Sequence, residues 1–272
     1  MRAVPLLIPV MNLTLLSKGC IALHASAFVY GNTGSLVTGW AKSGKTETLL
    51  AFATHGAKYV GDEWVILTRD GQTMYGLPEP MTAWDWHIEQ MPGIQDQLSF
   101  GKSLVFKSVH LLDRLHKFLS SGRLKNTFPV SLLTDVLPAL KRQLYIKVPV
   151  EKIFTGDSFE PVSRPDKLFL IMSQEQAVTS VETWSPDDIA LRMLESIYYE
   201  QVPFFEHYKA YKFAFPQAEN HFLENVRNLQ SDILTSALKN KEAYRVLHPY
   251  PFLFEDLYRE MAPYCSDSAK EQ

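Results

Sequence analysis

Residues Gly39-Trp40-Ala41-Lys42-Ser43-Gly44-Lys45-Thr46 satisfy the pattern G-x-x-x-x-G-K-[ST] in full. This octet restricts the fold more than any other feature of the chain, because its chemistry needs a strand entering and a helix leaving. Glycines let the backbone curl so that successive N–H groups face phosphate oxygens, and the following helix adds its positive end. Both contexts are written around it. "SLVTG" (Ser35 to Gly39) is a short apolar strand, and "KTETLLAFATHG" reads as a helix with Leu49, Leu50 and Ala53 on one side and Gly56 as its stop. Lys45 is expected to neutralise the β and γ phosphates of ATP, and Thr46 to offer its hydroxyl to Mg²⁺. Gly39, Lys42, Ser43 and Gly44 complete the expected nucleotide contacts.

The chain has 272 residues, enough to bury a core without disulfides or a structural metal. Its net charge of -3 gives no bulk attraction for nucleic acid, so no nucleic-acid partner is expected. Cys20 and Cys265 sit at opposite ends of the sequence and outside any CxxC pair, so reduced, mostly buried thiols are expected. Arg2 precedes the apolar run "AVPLLIPVMNLTLL", as in a signal peptide. That run contains Pro5, Pro9 and Asn12 and lacks a small-x-small cleavage site, so it reads as a packed segment. It is also too short to span a bilayer. The expectation is a cytoplasmic protein with no membrane partner.

Along the chain there are no internal repeats and no low-complexity tract. "IALHASAFVYG" (Ile21 to Gly31) is rich in strand formers, and "AKYVGDEWVILTRDGQTMYG" alternates like strands joined by an Asp70-Gly71 turn. Between Pro78 and Phe128 strand and helix signals mix. "DKLFLIMS" (Asp166 to Ser173) reads as a buried strand. "SPDDIALRMLESIYYEQ" reads as a helix capped by Ser185, with further helices near Ala218 to Leu238 and Phe252 to Met261. The fold class expected is α/β, a central mixed sheet carrying the glycine loop. One domain is expected over residues 1–272, with a core over 1–185 and a helical C-terminal region over 186–272.

Seventeen residues beyond Lys45 stands the acidic pair Asp62-Glu63. Gly61-Asp62 is good turn chemistry between strands. Two acids just after a strand beside a phosphate loop also suit combined metal and base roles. His24, flanked by small and apolar residues, is on its own a core histidine as readily as a functional one. His110 and His116, six apart, fit no metal template.

Taken together, His24, the loop Gly39 to Thr46, Glu47 and Asp62-Glu63 resemble the catalytic domain of HPr kinase/phosphorylase and its related small kinases. The separations, fifteen residues from His24 to Gly39 and seventeen from Lys45 to Asp62, are ungapped against that family's pattern. The resemblance covers Ile21 to Leu67, roughly a sixth of the chain, with a weaker echo in "LFLIMS". It implies a P-loop fold of the HPr kinase/PEP carboxykinase type and an ATP/Mg²⁺-dependent kinase acting on a hydroxyl. It further implies that Asp62 is the general base, that Lys45 binds the phosphates, and that Thr46 with Glu47 or Glu63 holds Mg²⁺. His24 would stand near the transferred phosphoryl group. The family's assembly habit implies a homo-oligomer.

Three departures narrow the acceptor. The second acid is Glu63 rather than aspartate, Trp40, Ala41 and Lys42 replace the family's usual loop residues, and no downstream arginine-glycine signature like "EIRGLGI" appears. The expected acceptor is therefore a serine-like or small-molecule hydroxyl other than HPr. The alternative is a catalytically degenerate ATP-binding module that regulates or stabilises a partner; a carboxykinase-like enzyme is a third reading.

Two other stretches stand out. Lys107 to Lys125 carries five cations against the single acid Asp113, a pattern shared by solvated helix faces and by anionic-substrate sites; Arg123 is the residue best suited to a phosphate or substrate contact. Tyr198 to Pro216 packs eight Phe or Tyr residues into nineteen and is expected to face the core between helices.

Overall fold

The structure, a computed structural model, describes residues 7–91, 94, 96–120 and 127–265. It is α/β with mixed and antiparallel sheets. The chain divides into two compact units, Met1–Glu79 with Phe154–Gln272, and Pro80–Ile153.

The first unit opens with α1 (Leu7–Ser17), β1 (Cys20–His24), β2 (Ser26–Tyr30), β3 (Thr33–Thr38), α2 (Lys45–Ala53), β4 (Lys58–Gly61), β5 (Trp64–Thr68) and β6 (Met74–Gly76). The second unit contributes β7 (Met81–Trp84), α3 (Asp85–Gln90), α4 (Phe100–Ser120), α5 (Phe128–Lys141), β8 (Tyr145–Val148) and α6 (Val150–Ile153). The first unit then resumes with β9 (Val162–Ser163), β10 (Lys167–Ser173), β11 (Ser180–Thr183), α7 (Pro186–Ala214), α8 (His221–Glu224), α9 (Val226–Leu238), β12 (Glu242–His248) and α10 (Phe254–Met261). The C-terminal region is helical, as expected. It also supplies β12, a strand that sequence reading passed over.

Six strands form the main sheet in the order β11-β12-β10-β3-β2-β4, parallel through β12, β10 and β3 and antiparallel at both flanks. β3 is buried at all six positions and β10 at its first five, as strands covered on both faces must be. A second, antiparallel sheet runs β1-β5-β6-β9. Leu23 and Leu67 from this sheet and Leu36 and Leu170 from the main sheet share one core with Leu16 of α1, Met193 of α7 and Leu234 of α9.

The chain crosses between the two sheets twice at one seam. β1 leads into β2 through Ala25, and β4 leads into β5 through Asp62-Glu63. The Ala25 N–H donates to the Glu63 carbonyl at 3.3 Å, so the two crossings are tied to each other. Register does the rest: His24 pairs with Trp64 on one sheet and Ala27 with Gly61 on the other. Beside Gly61 the register slips, because Phe28 pairs with Tyr59, leaving Val60 as a bulge of the kind that re-aims the residues after it.

Close backbone approach at the seam requires glycine. A Cβ on Gly76 would lie 1.7 Å from the Val60 carbonyl oxygen, and one on Gly61 would lie 2.6 Å from the Gly76 Cα. Gly76→Ala is therefore expected to push β4 and β6 apart and cost about 3 kcal/mol or more. A denaturant midpoint unchanged from wild type would refute that packing argument.

The 80–153 unit surrounds its own small core of Ala83, Ile88, Phe106, Val109, Ile146 and Val148. The mixed signals between Pro78 and Phe128 resolve into β7, α3 and the long α4, and Lys107, Arg114 and Lys117 of α4 are exposed, as a solvated face requires. Arg123 lies outside the described residues. His110 is not the isolated histidine its spacing suggested. Its Nε2 lies 3.0 Å from Asp85 Oδ1, and ligand atoms of Asp85, Glu89 and His110 fall within 4.8 Å of one another.

The aromatic stretch differs from its expectation. It is neither a connector nor core-facing, since α7 runs unbroken to Ala214 with Pro203 inside it. Tyr199, Tyr211, Phe213 and Phe215 are exposed, and only Phe204 and Phe205 pack partly on the core. The reason is length: a helix that outruns the sheet it packs on buries only the stripe that still overlies the core. The Ser185 cap holds as read, its Oγ accepting from the Asp188 N–H at 3.4 Å. Among the described residues, no helix is long and apolar enough to cross a membrane.

Candidate functional site

β3 delivers the chain at Gly39 into a loop that returns as α2. Gly39, Ser43, Gly44 and Lys45 are buried, while Trp40, Ala41 and Lys42 are exposed. Gly44 adopts φ +106, open only to glycine, and a Cβ there would strike His248 Nε2 at 2.8 Å. The Lys45 ammonium folds back along the loop, donating to the carbonyls of Trp40 (2.7 Å) and Gly39 (3.3 Å). Burial lowers its pKa, against the opposing charges of Asp62, Glu63, Glu47 and Glu200.

Asp62 arrives beside this loop through the β4–β5 crossing. Its backbone N–H donates to the Tyr59 hydroxyl at 3.0 Å, and its carboxylate accepts the Thr46 hydroxyl at 3.0 and 3.1 Å. It is 3% exposed. Burial above all, then the neighbouring Glu63 charge, push its pKa up to about 7, although hydrogen bonds from Thr46 and the Glu63 backbone pull the other way.

Glu63, held at φ +65, turns to His24 instead: its Oε2 lies 3.2 Å from His24 Nε2. The other ring nitrogen, Nδ1, lies 2.9 Å from Glu200 Oε1 of α7. Burial, the largest influence on His24, lowers its pKa. The hydrogen bonds to Glu63 and Glu200 together outweigh burial and the Lys45 charge, leaving it raised. Thus six of the expected residues, His24, Lys45, Thr46, Glu47, Asp62 and Glu63, gather at the loop and the seam. The Thr46 hydroxyl goes to Asp62 rather than to either glutamate expected to share a metal with it.

Two further residues belong here that sequence reading missed. Glu200 clamps His24 from 176 positions away. His248, at the end of β12, sets Nε2 2.7 Å from the Ser43 carbonyl, 205 positions away. The usable signal for His248 was the alternation of "EAYRVLH" just after the Asn240 turn at φ +61. Glu200 carried none, lying inside the aromatic stretch.

The site fits a polyphosphate and a hard cation. Among the described residues the Ser43 hydroxyl, which is buried, has no hydrogen-bond partner and no side chain caps the N-terminus of α2, which leaves donors suited to phosphate oxygens. Thr46, Asp62, Glu47 and Glu63 offer the hard oxygen ligands that Mg²⁺ prefers. If the Glu200 clamp orients His24 for chemistry, Glu200→Gln should lower kcat roughly tenfold or more with KM for ATP unchanged, and Glu200→Asp should recover part of it. A parallel loss in thermal stability without that kinetic split would make Glu200 structural only.

Compared with known proteins, the chain matches no family model and no curated sequence.

Proposed function

We propose that the chain is an ATP/Mg²⁺-dependent kinase that transfers the γ-phosphoryl group to a hydroxyl acceptor, serine-like or small-molecule. One observation carries the reading: a buried carboxyl with pKa near 7, Asp62, is held against the Thr46 hydroxyl beside the Lys45 ammonium. A general base is most effective when its pKa lies near the working pH. In the step proposed, Asp62 takes the acceptor's proton as the acceptor oxygen bonds to the γ-phosphorus. The bond from that phosphorus to the bridging oxygen breaks, ADP leaves, and Asp62 returns the proton to water. Lys45, the Ser43 hydroxyl and the start of α2 bind and orient the phosphates, and His24 between its two glutamates lies at the acceptor side. Mg²⁺, held by Thr46 with Glu47 or Glu63, would neutralise charge on the phosphates.

The low exposure of Asp62 favours a second reading, a nucleotide-binding module that regulates a partner protein, since a base must reach its acceptor. A screen of hydroxyl-bearing metabolites and serine peptides with γ-labelled Mg-ATP separates the two. Labelled product that disappears with Lys45→Ala supports the kinase; micromolar ATP binding with no acceptor labelled supports the module.

A further inference from the structure

The parallel strands β3, β10 and β12 end at the same edge of the main sheet, and three segments leave that edge together. The segment after β3 is the glycine loop. Those after β10 and β12 enclose a cavity of about 520 Å³. It is lined by Val178 and the Pro249–Leu253 segment together with Asp256, Arg259 and Glu260 of α10, a mixed apolar and polar surface. The Gln174 N–H donates to the His248 carbonyl at 2.7 Å, joining the two segments that form it.

One side chain links this cavity to the loop. His248 reaches the Ser43 carbonyl through Nε2, and its ring stacks edge-on against Phe252 with centroids 4.4 Å apart. Sheet order fixes the polarity of what the loop can hold. β3 has β2 and then β4, which leads to Asp62, on one side, and β10 and β12, which lead to the cavity, on the other. A nucleotide whose terminal phosphate faces Asp62 must extend its nucleoside the opposite way. Ligands of open α/β sheets bind outside the carboxyl ends of the strands, and the cavity's size and lining suit a planar base with polar groups left for a ribose.

We propose that this cavity is the nucleoside subsite, holding the purine base between Val178 and the Pro249–Leu253 segment with the ribose toward α10. The inference rests on the nucleotide reading of the loop and adds where, and by which residues, the base is gripped. Val178 and Leu253 are 66% and 59% exposed, apolar surface that a bound base would cover. Their exposure also means that a charge there does not threaten folding.

The test compares Mg-ATP with Mg-tripolyphosphate by calorimetry on wild type, Val178→Asp and Leu253→Asp. Each variant should weaken ATP about tenfold or more while leaving tripolyphosphate within about twofold. An 8-azido-ATP photolabel should map to peptides covering 174–179 or 249–260. Unchanged ATP affinity in both variants, equal affinity of wild type for ATP and tripolyphosphate, or a label on Trp40 or Tyr199 would each overturn the subsite. Those failures leave the phosphate loop intact, whereas wild type binding neither probe would remove the nucleotide reading and this one together.

Discussion

Asp62→Asn should cut phosphoryl transfer on the order of 10³-fold, leave Mg-ATP bound, and make the empty protein more stable than wild type. All three effects follow from one environment. Asn cannot accept a proton, so the proposed base is lost, but its amide oxygen can still accept the Thr46 hydroxyl that Asp62 accepts at 3.0 Å. The stability gain comes from linkage. The carboxyl's pKa rises from 3.8 in the unfolded chain to about 7 in the fold. Between those values the folded state holds the extra proton, so stability is full below about pH 4, declines as pH rises, and is lost above about pH 7. One pKa unit is about 1.4 kcal/mol, so the penalty at pH 8 reaches about 4 kcal/mol. The gap in melting temperature between Asp62→Asn and wild type should therefore widen from pH 5 to pH 8. Wild-type transfer should itself rise with pH, with a midpoint near 7. Full transfer by the Asn variant would remove Asp62 from the proton path, and a constant melting gap would contradict its burial as a charge.

Lys45→Ala should weaken ATP about a hundredfold and abolish transfer with it. The ammonium is the one cation buried in the loop among the described residues, and it balances Asp62, Glu63, Glu47 and Glu200. Removing it takes away a charge-assisted donor for the phosphates and leaves those four acids to repel a polyanion. The variant should differ from Asp62→Asn in every readout: ATP affinity falls rather than persists, and the empty protein is destabilised rather than stabilised. The carbonyls of Gly39 and Trp40 lose their donor, and the Asp62 carboxyl loses its compensating charge. Calorimetric ATP affinity equal to wild type would show that the loop binds something else.

How much of this was legible in the sequence depends on how far apart the partners lie along the chain. The glycine loop, α2 and the Gly56 turn were readable because each is decided within a dozen residues by glycine conformation and apolar period. The α/β class followed from them, and the Ser185 cap was readable on its own from the local Ser-Pro-Asp-Asp pattern. His24 and the acid pair were read as one site only through resemblance, because what joins them is the pairing of β1 with β5 and of β2 with β4. The contacts of Glu200 and His248 were hidden for the same reason carried further, with 176 and 205 residues between partners, although the alternation of the strand that ends at His248 was there to be read. The aromatic stretch misled because composition counts rings, while burial counts the overlap of α7 with the core. The stretch from Pro78 to Phe128 gave mixed signals because its long helix buries few residues, Phe106 and Val109 in α4.

The seam between the sheets also behaves as a measuring rule. Strand side chains alternate between faces, so one residue added between His24 and Ser26, or between Gly61 and Trp64, must either bulge out at the seam or slip the following strand and turn its side chains to the opposite face. A change of length in either crossing would strain the Ala25–Glu63 hydrogen bond that ties the two. Kinship to this chain would be traced best through intervals rather than residue identities: histidine to loop, loop to acid pair. Length is free to drift elsewhere, above all in the 80–153 unit, whose own core lets it be lengthened or trimmed without disturbing that rule.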